Sequence, residues 1–65
     1  MKEWKVAWVN LNADGDAIGF GNLTVEINGD LAQQDAREAV EKKILAGYER
    51  NPSVHQVKIV NYRPA

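Results

Sequence analysis

The sequence predicts an α+β fold: a three-stranded, mainly antiparallel sheet in ββαβ order with one amphipathic helix packed on one face. Three observations carry this. Two runs of alternating polarity flank a turn at Asn12-Ala13-Asp14-Gly15. A helical period runs from Asp30 to Arg50, and a third alternating run follows from Val54 to Arg63. At 65 residues the chain reads as a single domain, 1–65, near the size at which a core is only just sufficient. Forty-five per cent apolar residues, two of them Trp, argue for a packed core rather than disorder.

The first strand is read over Glu3–Asn12, with Trp4, Val6 and Trp8 on one side and Glu3, Lys5 and Ala7 on the other. Asn12 and Gly15 suit the first and fourth positions of a type I turn. With Gly15 left-handed, the turn becomes a three-residue hairpin loop in which residue 12 pairs with 16 and 8 with 20. The second strand, Ala17–Asn28, changes phase partway: Ile18 and Phe20 share one parity, Leu23, Val25 and Ile27 the other. A β-bulge at Gly21-Asn22 reconciles the two sets. It sets Leu23 across from Val6 and Val25 across from Trp4, and puts Phe20 on the same face as Trp8.

The helix is read as one piece over Asp30–Arg50. Advancing about 100° per residue, Ala32, Ala36, Ala39, Val40, Ile44 and Gly47 fall on one face; Gln34, Asp35, Glu38, Glu41, Lys42 and Glu49 fall on the other. Asp30 with Gln33 three residues on suggests a capping box, and Pro52 disfavours helix at Asn51. Gly47 reads as a point of close approach to the sheet, with an early C-cap as the rival. The third strand, Val54–Arg63, turns Val57 and Ile59 toward the helix and Gln56 and Lys58 away. The expected order has the first strand in the middle; the alternative places the third beside the second.

Chemistry-bearing constellations are scarce. The loop Asn10–Asp16 superficially matches the start of a calcium-binding loop, but it opens on Asn10 rather than Asp, and Gly21 stands where a bidentate Glu should close it. It reads better as a hairpin turn. His55 is the only histidine, without a second to share a metal, and reads as a strand-end polar residue. Ser53 and Thr24 lie in no nucleophile motif, and the glycines are spaced for turns rather than for a phosphate loop. Trp4 and Trp8 could form a stacking platform, yet they share the face that the helix must cover, so core is the better reading. No catalytic, cofactor-binding or metal-binding residue is assigned, no cofactor or small-molecule substrate is implied, and the chain is expected to be non-enzymatic.

There is no Cys, hence no disulfide framework and no thiolate site. No stretch approaches a membrane span and none reads as an export segment, so a cytoplasmic location is expected, with no membrane partner. Eight basic against nine acidic residues give a net charge of −1, which disfavours a general nucleic-acid binder. The stronger signal is apolar residues that the core does not absorb. By parity Val9 and Leu11 lie on the outer sheet face, as do Val60 and Tyr62, and Leu45 projects from the polar side of the helix. Clustered, such residues mark a partner surface. The expected function is therefore a protein–protein interaction or self-associating accessory module, with a protein partner or homodimer. The alternative is a nucleic-acid-binding module that uses Lys5, Gln56, Lys58, Tyr62 and Arg63 on the outer face. In size alone the chain resembles the small accessory proteins of phages and mobile elements.

Overall fold

A computed structural model describes residues Met1–Ala65. The elements follow the order β1 (Lys2–Leu11), β2 (Ala17–Ile27), α1 (Gln34–Ala46) and β3 (Gln56–Pro64). The sheet has three strands in the order β2-β1-β3, and both neighbours run antiparallel to β1. The central place of β1 agrees with its composition: alternate residues Trp4, Val6 and Trp8 are buried, and the strand between two others must be apolar on the covered side. No helix is long and apolar enough to cross a membrane.

The hairpin turn forms as its chemistry dictates. Gly15 has φ of 86°, its N–H donates to the Asn12 carbonyl at 3.0 Å, and Asn12 N–H donates to the Asp16 carbonyl at 3.0 Å. The Asn12 side-chain oxygen accepts from the Asp14 and Asp16 N–H groups at 3.0 and 2.9 Å, so the loop is held from inside.

Beyond the turn, the register departs from expectation. Val6 pairs with Leu23 and Trp4 with Val25 as anticipated, but Trp8 lies opposite Gly21 and Val9 opposite Phe20. The extra residue is Ile18, between the pairs Leu11–Ala17 and Asn10–Gly19, and no bulge occurs at Gly21-Asn22. The physical reason is the Trp8 indole. It lies across Gly21 so closely that a Cβ there would come within 2.6 Å of Trp8 Cζ2. Gly21 is thus the floor under an aromatic ring rather than a break in the ladder. Phe20 cannot share that space, faces the opposite side of the sheet, and is 86% exposed.

The helix is shorter than the periodic run. Asp30 caps a separate turn instead, accepting from Ala32 N–H through Oδ1 at 2.9 Å and from Gln33 N–H through its carbonyl at 2.9 Å. This turn drives Leu31 inward to 0% exposure, and the Arg37 guanidinium reaches back to the Leu31 and Ala32 carbonyls at 2.9 and 3.0 Å. At the other end the C-cap reading of Gly47 holds. Gly47 caps the helix with its backbone still right-handed, at φ −70° and ψ −12°, so the cap does not use the left-handed conformation, and an added Cβ would meet only the Ile44 carbonyl, not the sheet.

The helix packs on β3, not on β2. Val40 is its buried residue, with Ala36, Ile44 and Leu45 partly buried around it. Ala39 and Gly47 stay exposed. The core is Trp4, Val6, Trp8, Leu31, Val40, Val57 and Ile59. One buried polar chain threads it: Trp8 Nε1 donates to Asn10 Oδ1 at 3.2 Å, and Asn10 Nδ2 donates to the Tyr48 hydroxyl at 3.3 Å. Trp4 Nε1 is buried without a partner, at a cost of about 1–3 kcal/mol.

Candidate interaction surface

The helix-bearing face, the bare face and the two sheet edges together define what this fold offers a partner. On the bare face, Val9 and Leu11 are half-buried and Val60 is 59% exposed. Phe20 joins them, standing directly across from Val9. Sequence parity had assigned Phe20 to the core. The signal that separates the two readings is the glycine on either side of it: Gly19 and Gly21 lie on the inner face, where Gly21 leaves room for the Trp8 ring, and this alternation puts Phe20 on the outer face.

Two residues expected on this surface lie elsewhere. Tyr62 is not on the outer face. A second bulge makes Val60 the extra residue between the pairs Trp8–Ile59 and Ala7–Asn61, and this reverses the parity downstream. Tyr62 therefore sits opposite Val6, with its ring centroid 6.3 Å from that of Trp4 and the Arg37 guanidinium 5.7 Å above it. Leu45 does not project into solvent either: it packs partly buried against the core. Because α1 lies over β3, its covered stripe is rotated toward Glu41 and Leu45, away from Ala39 and Gly47.

That rotation leaves the inner face of β2 uncovered. A groove of about 500 Å³ opens between Leu23, Val25 and Ile27 of β2 and Val40 and Ile44 of α1, with Trp8 at its floor. It continues past Ile27 into a hollow of about 230 Å³ between Gly29 and the small residues Ala36 and Ala39. Leu23, at the rim, is 39% exposed.

The two sheet edges differ in kind. Along β3, Ile59 N–H already donates to Glu41 Oε2 of the helix at 2.7 Å. The strand also carries Lys58, Arg63, Pro64 and the bulge at Val60, all devices that discourage further pairing. The β2 edge has 11 residues, no Pro or Lys, and one charge, Glu26. Nothing covers it.

The polar part of the outer face is of mixed sign. Lys5 and Arg63 lie opposite each other beside a hollow also lined by Asn22, Thr24 and Asn61, while Glu3 and Glu26 form the next cross-strand pair along β1 and β2 after Lys5–Thr24 but one. His55 is exposed at the entry to β3, where its backbone N–H donates to the Leu11 carbonyl at 2.8 Å. No group of three or more His, Cys, Asp or Glu side chains is placed to hold a metal ion. Comparison with protein-family models, with curated proteins and with solved structures returns no match.

Proposed function

We propose that this chain is a non-enzymatic protein-interaction module that engages a protein partner along β2. One observation carries the reading: β2 displays uncovered apolar side chains on both of its faces, Phe20 on one and Leu23 on the other, while its edge is unpaired. Single exposed apolar residues are ordinary. A long edge strand with exposed apolar groups on both sides is the feature that folded chains otherwise suppress. Val9, Leu11 and Val60 extend the surface on the outer face, and the groove against α1 extends it on the inner one. A cytoplasmic setting is part of the proposal.

Site-specific photo-crosslinking in cells tests it. A photoreactive residue at position 20 or 23 should give adducts containing protein, and the same residue at position 38, on the exposed side of the helix, should not. Absence of protein adducts at both β2 positions overturns the reading. Adducts of nucleotides, weakening steeply with ionic strength, would replace it with a nucleic-acid partner gathered by Lys5, Lys58 and Arg63.

A further inference from the structure

We propose that the partner of β2 is a second copy of the same chain, paired antiparallel through the β2 edge about a two-fold axis at Leu23. This rests on the reading of β2 as the contact strand and names what occupies it. The dimer has one continuous sheet, in the order β3-β1-β2-β2-β1-β3, with both helices on the same face.

Four observations point to this arrangement. The first is the asymmetry of the edges. The β3 edge is closed by Glu41, Pro64 and the Val60 bulge, whereas β2 is left open. Strand addition has one place to occur.

The second is access. Because α1 packs over β3, no element overhangs β2, and a second strand can approach it in the plane of the sheet.

The third is register. Past the extra residue at Ile18, β2 pairs regularly with β1 from Gly19 to Ile27, and Leu23 is the midpoint of that stretch. Antiparallel self-pairing about Leu23 sets Leu23 against its own copy, Val25 against Gly21, and Ile27 against Gly19. On the groove side every branched side chain away from the axis therefore meets a glycine. At Gly21 it also meets the edge of the Trp8 ring that covers that glycine. On the outer side Glu26 lies beside Phe20 and Thr24 beside Asn22. A strand whose large residues occupy one half and whose glycines occupy the other is complementary to itself only when reversed.

The fourth is charge. Glu26 is the only charged residue of β2. In this register the two copies of Glu26 stand six positions apart along the ladder, roughly 20 Å at the usual rise. That exceeds the Debye length of about 8 Å at physiological salt, so the pairing brings no like charges together.

The test uses the purified full chain. Sedimentation from low to high micromolar concentration should show the mass doubling. Leu23→Lys, which sets two ammonium groups across the axis, should weaken association by about a hundredfold or more. Its fold should survive, since Leu23 is 39% exposed. The chain has no Cys, so single cysteines report register directly. Leu23→Cys should crosslink to itself under mild oxidation. Phe20→Cys and Glu26→Cys should each fail alone and crosslink when mixed.

A chain that stays monomeric at high micromolar concentration overturns the proposal. So does a dimer that tolerates Leu23→Lys but is lost with Val9→Lys, because that dimer would pack through the outer face. Neither result removes protein adducts at positions 20 and 23 in cells, so failure of the second copy as partner is distinguishable from failure of β2 as the contact strand.

Discussion

Replacing Gly21 by alanine adds one methyl group where β2 passes under the Trp8 indole. The added carbon would lie 2.6 Å from Cζ2, 2.9 Å from Cε2 and 3.2 Å from Cη2 of that ring. Carbon atoms in contact prefer about 3.5–4.0 Å, so the ring must retreat by roughly 1 Å. Trp8 is 6% exposed and has little room to do so. Its Nε1 donates to Asn10 at 3.2 Å, already at the long end of the usual range, and a retreat breaks that bond. Overpacking costs about 1–3 kcal/mol, and leaving a buried polar group unpaired costs about 1–3 kcal/mol more. Against this stands a gain of about 0.5–1 kcal/mol for removing glycine from a strand. The net loss, about 1–5 kcal/mol, is comparable at its upper end to everything a core of this size can supply. Urea melts followed by Trp fluorescence measure it. The sign of the change is decisive: without a ring over Gly21 the substitution would be neutral or stabilising, and an unchanged or raised midpoint would refute the placement of Trp8.

Leu31→Ala should cost about 2–5 kcal/mol although the residue lies outside every helix and strand, because its side chain is completely buried; an unshifted denaturation midpoint would show that the Asp30–Gln33 turn does not drive it inward. Glu41→Ala should cost about 1.5–3 kcal/mol, the scale of a charge-assisted hydrogen bond, and should speed hydrogen exchange at the Ile59 amide, whose N–H it leaves unpaired. Glu41→Gln keeps an acceptor oxygen and should lose less on both measures; equal effects from the two variants would mean that the contact is not made.

Local chemistry decided much of this fold, and it was legible. The Asn12–Gly15 turn forms because only a glycine at the fourth position takes the left-handed backbone, which a sequence reader can see. The alternation in β1 buries Trp4, Val6 and Trp8 as written, and the ββαβ element order was legible, whereas the choice between β1 and β2 as the neighbour of β3 was made by the tertiary structure, which puts β1 in the middle. Val9 and Leu11 fall on the outer face for the same reason: nothing interrupts the parity of β1.

What the tertiary structure decided were the points at which one element's packing overrides another's pattern. The phase change in β2 demanded an irregularity, but its location depended on where the Trp8 ring lay, a contact between residues on different strands. Bulges cost one residue of parity, and the one at Val60 sent Tyr62 to the core through pairing with β1 that no feature of β3 alone reveals. The helix showed its amphipathic period in sequence but not its azimuth. Resting on β3, it turned Leu45 inward, left Ala39 outside and uncovered the inner face of β2. The candidate surface is a product of that last choice: periodicity fixes which residues share a helical face, and only the position of the helix over the sheet decides which strand goes without a cover.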